Sequence, residues 1–190
     1  MENLLKYIYS MAEFSEQSWE LLRPALSKSQ FKKNQLLLNE GQVCNTLFYI
    51  DSGFCRSYYE LDGNIKNTGF FFENEIAVDL SSFASGKKSE INIIACEPMT
   101  AILFDKEKLA SAAKNSFEIE ALGRNCIRQF ALKQAEFSNL FQLYSAKDRL
   151  AYIEDKYPDM IQRVSLSQLA SFLGVARETL SRIRRRRLTG

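Results

Sequence analysis

Apolar positions along the chain change their period twice, dividing it into three stretches. From residue 2 to about 28, Leu4, Leu5 and Ile8, then Trp19, Leu21 and Leu22, recur at helical spacing, with Pro24 as an interruption. From Gln35 to Asp105 the texture becomes short runs of β-formers between turn residues. The runs are Leu36–Leu38, Thr46–Ile50, Phe54–Leu61, Asn67–Phe72, Ile91–Ala95 and Thr100–Phe104. Asp62-Gly63-Asn64 between two of them reads as a hairpin turn. Short strands at this spacing predict a sandwich or jelly roll.

After Asp105 the helical period returns. Lys106–Lys114 predicts a short helix, and residues from Phe117 to about Leu143 a long one, free of proline. Along the long helix Gly123, Ile127, Phe130, Gln134, Phe137 and Phe141 follow steps of four and three, beside a second stripe of Ile119, Leu122 and Cys126. Two apolar stripes call for two partners, the helix's own β domain and a second copy of the chain. Ser145–Tyr157 predicts a further helix, limited by Pro158. The division expected is 1–116 for a β-roll with flanking helices, 117–143 for the long helix and 144–190 for a terminal helical domain.

That terminal domain contains Ser165–Arg187. With Leu166 as the first of twenty motif positions, Ala170 is the fifth and Gly174 the ninth. Leu169, Leu173, Val175, Leu180 and Ile183 take the positions of an apolar wedge. Two helices crossing steeply need a small residue where they touch, and a tight turn needs one tolerant of positive φ. Ser165 or Ser167 can cap the first helix. The polar face of the second helix presents Arg177, Glu178, Ser181 and Arg182. This is the pattern of a helix-turn-helix that enters the DNA major groove. The arginines are suited to guanine O6 and N7, and Glu178 to cytosine N4. Arg184, Arg185, Arg186 and Arg187 suit phosphates.

Charge supports this assignment. The chain's net +2 is unevenly placed: from Arg177 onward there are six arginines and one glutamate, a net +5, leaving −3 on the rest. A basic tip on a mildly acidic body fits one end meeting a polyanion. The chain has no histidine, which excludes Ser-His and Cys-His catalysis, His-ligated zinc and a proximal haem histidine. Cys44, Cys55, Cys96 and Cys126 form no CxxC clamp and read as buried reduced thiols, so no metal site is expected. No apolar run is long enough to span a membrane, and no secretion signal opens the chain, so a cytoplasmic protein is expected. Ser-x-x-Lys spacings at Ser29–Lys32, Ser85–Lys88 and Ser111–Lys114 lack the other motifs of serine acyl hydrolases. No catalytic residue is assigned. A ligand-sensing module without DNA binding is the alternative, and residues 165–187 argue against it.

Arg177-Glu178-Thr179 and Arg182 resemble the recognition-helix motif of the CRP/FNR family of transcription regulators. Gly41, Thr46–Ile50 and Gly53 are similar to that family's glycine-bounded β-roll signature. The resemblance covers nearly the whole chain and implies an α+β fold. Its parts are an N-terminal jelly-roll domain of the cyclic-nucleotide-binding type (a double-stranded β-helix), a long dimerisation helix and a C-terminal winged-helix-like helix-turn-helix. Only Leu188-Thr189-Gly190 follow the arginine run, so a wing is expected to be truncated or absent. The resemblance further implies a homodimer, RNA polymerase as a partner and double-stranded DNA with palindromic, TGTGA-like half-sites. Its DNA-contacting set here is Arg177, Glu178, Thr179, Ser181, Arg182, Arg184, Arg185 and Arg186, with Ser165 and Ser167.

The implied effector pocket departs from the family. Where cyclic-nucleotide-binding members carry Gly-Glu-Leu, this chain has Val78-Asp79-Leu80. Where they carry the phosphate-binding Arg-Ser, it has Ser89-Glu90, preceded by Lys87 and Lys88. The adenine-facing position falls near Gln134. Glu90 is expected to put negative charge where the phosphate would lie. Binding of cyclic AMP in the usual way is therefore not expected, and any small-molecule effector is unidentified.

Overall fold

The computed structural model describes residues 1–188, with side chains described through Arg185. The Arg186 and Arg187 side chains and the stretch expected to lack a wing lie outside the described residues. In chain order the elements are α1 (Glu2–Met11), α2 (Glu16–Leu22), β1 (Leu26–Phe31), β2 (Leu36–Leu38), β3 (Thr46–Ser52), β4 (Cys55–Leu61), β5 (Asn64–Phe71) and β6 (Ile76–Ala77). They continue with α3 (Leu80–Ser85), β7 (Asn92–Ala95), β8 (Met99–Asp105), α4 (Lys106–Asn115), α5 (Phe117–Leu143), α6 (Ala146–Lys156), α7 (Pro158–Arg163), α8 (Leu166–Leu173) and α9 (Arg177–Leu188). A 3-10 turn, Arg23–Ala25, joins α2 to β1. No helix among the described residues is long and apolar enough to cross a membrane.

Period-two alternation builds the β-roll. Among the described residues the strands form two four-stranded sheets, ordered β1-β8-β3-β6 and β2-β7-β4-β5. β8 pairs antiparallel with β1 (Leu26 opposite Phe104) and with β3 (Phe48 opposite Leu103). Along β3 and β8 successive side chains face opposite ways. Phe48, Ile50, Met99 and Ala101 enter a core shared with Leu38, Cys55, Ile93 and Ala95 of the other sheet. Tyr49, Ile102 and Phe104 face the other way and pack with Leu4 and Ile8 of α1, Leu22 of α2, and Ile119 and Leu122 of α5. Gly53 closes the β3–β4 turn at φ +81, where a Cβ would lie 2.6 Å from the Met99 Cβ. The close approach of the two segments there depends on the absence of a side chain.

Some elements differ from expectation. Residues 26–31 form β1, although Leu-Ser-Lys-Ser-Gln-Phe carries only a weak apolar alternation. Its pairing with β8 supplies what its composition does not. β6 and α3 are too short to show a period. Pro158 opens α7 at its first turn, where its missing N–H costs nothing.

The chain divides into two compact units. The first comprises Met1–Ser57 and Phe70–Phe130; the second comprises Tyr58–Gly69 and the chain from Ala131 onward. The boundary falls within α5, and the tip of the β4–β5 hairpin groups with the helices.

Candidate nucleic-acid interface

In the second unit, local rules shape the helix-turn-helix. Ser165 caps α8 by accepting from the Gln168 backbone N–H, and Gln168 returns a side-chain bond to the Ser165 backbone, forming a capping box. Gly174 ends α8 at φ +71. Its N–H reaches the Ser171 carbonyl at 3.3 Å and the Val175 N–H reaches the Ala170 carbonyl at 3.0 Å. These two bonds are the Schellman closure, which needs a left-handed residue between them. Leu169, Leu173 and Leu180 are fully buried in the wedge, Ala170 is buried at the crossing, and Val175 and Ile183 are half-buried. The wedge and the turn follow the twenty-position pattern.

The wedge leaves one face of α9 open. Arg177, Glu178 and Arg182 are exposed, as is Arg185; Thr179, Ser181 and Arg184 are half-exposed. Arg177, Glu178, Ser181, Arg182 and Arg185 line a cleft of about 320 Å³ together with Leu166 from the start of α8. The Arg182 Nε lies 3.4 Å from the Glu178 carbonyl, one turn back on the same helix. The Ser165 hydroxyl is spent on its capping box, and Ser167 is exposed beside it.

Arg149 is the residue that sequence reasoning missed. Its Nε donates to the Tyr144 carbonyl at 3.0 Å, its Nη2 to Phe141 at 2.7 Å and its Nη1 to Leu173 at 3.1 Å. Those carbonyls belong to the end of α5, the following turn and the end of α8. The guanidinium also lies 5.4 Å from the Phe141 ring centre. Beneath it Phe172 meets Phe137 and Phe141 edge-on, at 5.5 and 5.4 Å. Tyr152 and Tyr157 both donate to Glu136, at 2.6 and 2.8 Å, and that bond pushes the Tyr152 hydroxyl up to about 12. The β4–β5 hairpin joins α8 through Asn67, which is 3% exposed. Its backbone N–H donates to the Ser171 hydroxyl at 3.0 Å and its side-chain amide to the Gln168 carbonyl at 3.0 Å. Ser171 in turn donates to the Ile65 carbonyl at 2.8 Å.

The expected effector residues lie in the first unit, apart from Gln134, which is exposed on α5. Val78 belongs to the β-roll core and Leu80 packs against it. Asp79 caps α3, accepting from the Ser82 N–H at 3.1 Å. Ser89, 2% exposed, donates to the Ile91 carbonyl at 2.8 Å. Alternation in this extended segment turns its neighbours outward, so Lys88 and Glu90 are exposed. Glu90, expected to put negative charge where the phosphate would lie, is exposed beside the buried Ser89. The Ser82 hydroxyl accepts from the Cys44 N–H at 2.9 Å and donates to the Lys87 carbonyl at 2.6 Å. Lys106 donates to the Phe83 carbonyl and lies over that ring. Burial pushes all four cysteine thiols up, Cys96 to about 11, which keeps them protonated and poorly nucleophilic at neutral pH.

Residues 28–116 match the family of the cyclic nucleotide-binding domain. Helices follow that domain as they do in solved regulators. The fold is that of the CRP/FNR regulators. FixK2 from Bradyrhizobium japonicum is similar with a TM-score of 0.70 and 20% identity, over 86% of this chain and 85% of that one. CLP, a c-di-GMP responsive global regulator from Xanthomonas campestris, gives 0.66 and 19%, over 92% of each chain. A CooA variant from Carboxydothermus hydrogenoformans gives 0.68 and 16%, over 90% of this chain and 79% of that one. No curated protein matches this CRP/FNR-like chain in sequence.

Replacing Arg149 by Met keeps much of the stem but leaves three carbonyls without their donor. The expected cost is about 2–4 kcal/mol, because bonds to a charged group are worth about 1.5–3 kcal/mol each and water recovers part of the loss. Arg149→Lys should restore less than half, since an ammonium does not span three acceptors. Urea denaturation of both variants measures this.

Proposed function

We propose that the chain is a homodimeric, sequence-specific DNA-binding transcription regulator. The observation that carries this reading is the open face of α9, where Arg177, Glu178, Ser181, Arg182 and Arg185 line one cleft. A helix in the major groove meets base edges with such a face. Arg177 and Arg182 fork onto guanine, Glu178 accepts from cytosine, and the Ser181 hydroxyl bonds either edge. Thr179, half-buried, braces the helix beside them. Arg184, Arg185 and Arg186 neutralise phosphates, and the exposed Ser167 hydroxyl at the start of α8 donates to one, while Ser165 keeps its hydroxyl on the α8 cap. The matching recognition residues favour TGTGA-like half-sites in a palindrome, with RNA polymerase as the downstream partner.

The palindrome requires two copies, and α5 offers the seam. Ile119 and Leu122 are buried against the β-roll's helices, and Phe130, Phe137 and Phe141 pack within their own chain. Among the apolar positions left outward, Gly123, Ile127 and Ala131 form one stripe, with Ile127 56% exposed. A Cβ on Gly123 would meet nothing within its own chain. An apolar stripe of this kind on a long helix suits pairing with its twin.

The β-roll is the input domain, and its input is not cyclic AMP in the usual way. Asp79, Ser82 and Ser89 spend their side chains inside the protein, and the charged neighbours Lys88 and Glu90 face solvent. No guanidinium stands at the phosphate position. The similar fold of CLP, which responds to c-di-GMP, supports an input other than cyclic AMP.

Three measurements test these statements. In gel shifts on a panel of palindromic sites, Arg177→Ala and Arg182→Ala should each cost about 1–3 kcal/mol and relax discrimination at one base position. Unchanged binding by both refutes the readout. Ile127→Glu should shift the sedimenting species from dimer to monomer while the helical signal persists; an unchanged mass places the seam elsewhere. Saturating cyclic AMP should leave the melting temperature unmoved, whereas a ligand at a hundred times its Kd would add about 2.7 kcal/mol.

A further inference from the structure

The cleft on the open face of α9 contains a residue that the proposed chemistry does not use. Its lining is Arg177, Glu178, Ser181, Arg182, Arg185 and Leu166. The first five can hydrogen-bond to bases or phosphates. Leu166 has neither charge nor hydrogen-bonding capacity. It lies outside the wedge positions, of which Leu169, Leu173 and Leu180 are fully buried. It is half-buried at the first position of α8, beside the cap residue Ser165, and it lines the cleft.

An apolar group facing DNA gains free energy only where it meets another apolar group. Among the base edges of the major groove the thymine 5-methyl is that group. We propose that Leu166 is a specificity-determining residue that selects thymine in each half-site by packing against its 5-methyl group. The inference rests on the reading of α9 as a DNA reader and extends it from the guanine and cytosine contacts of the polar residues to a T·A pair. The helix-turn-helix turn makes the contact feasible. The capping box and the Gly174 closure fix both ends of α8, so Leu166 is held at a set place relative to Arg177 and Arg182.

The test first selects a site from a random DNA pool with the full-length chain. Each thymine of that site is then replaced singly by deoxyuridine, which removes only the methyl. Binding is followed by fluorescence anisotropy. For the unaltered protein, one replacement per half-site should weaken binding about fourfold, the factor that one buried methyl group is worth. Leu166→Ala should bind thymine and deoxyuridine at that position equally, and Leu166→Met, which keeps the apolar reach, should preserve most of the difference. Melting curves of both variants establish that they are folded, and the deoxyuridine scan of the unaltered protein stands without them. A selected site that depends on Arg177 and Arg182 but shows a flat scan overturns this inference alone. The same fourfold ratio persisting in Leu166→Ala overturns it too. Failure to enrich any sequence overturns the DNA-reading function and this inference with it.

Discussion

Three backbone carbonyls at helix ends converge on one guanidinium, and the geometry of the helix-turn-helix follows from it. The last carbonyls of a helix have no intrahelical donor and carry the negative end of its dipole. Arg149 answers those of Phe141, Tyr144 and Leu173 with three of its five donors. The fork is planar and rigid, so the three acceptors are held in one arrangement. The last turn of α5, the start of α6 and the turn of the helix-turn-helix therefore move as a group. The Phe137, Phe141 and Phe172 rings fill the space below and remove the slack that a lone polar contact would leave.

How much was legible in the sequence depended on how local the cause was. Ala170, Gly174 and the leucines of the wedge lie within about three turns of chain, so one spacing rule found them. Runs of β-formers between turn residues likewise revealed β3 and β8, whose two faces meet two different cores. β1 escaped because its partner strand, and not its own composition, makes it a strand. Arg149 and Asn67 escaped for a related reason. Their partners stand 24 and 101 positions away, and an arginine or asparagine on a helix or strand reads as solvated until the fold closes over it. One usable signal for Asn67 was present: a polar residue at an inward position of an otherwise apolar strand face.

The segment from Asp79 to Ser89 shows how burial commits polar side chains to partners. Asp79, Ser82 and Ser89 are polar side chains in or beside a buried segment, and burial obliges each to find a partner. Each does so within the protein: Asp79 caps α3, Ser82 bridges Cys44 to Lys87, and Ser89 bonds to Ile91. Among the described residues no buried side-chain nitrogen or oxygen lacks a partner. An anion entering here would have to break bonds already made, each break leaving a buried group unmatched at about 1–3 kcal/mol.

The output end has the opposite character, and its own electrostatics show why. Arg177, Arg182, Arg184 and Arg185 occupy a single twelve-residue helix, with only Glu178 to offset them among the acidic residues. Like charges one turn apart destabilise an isolated helix, so α9 is not held by its surface. It is held by Leu180, fully buried in the wedge, with Ile183 half-buried beside it. Packing at those two positions pins arginines that would otherwise disperse. A polyanion set against the same face removes the repulsion and releases the counterions the arginines had gathered. The wedge thus supplies the order that the surface charges of α9 do not.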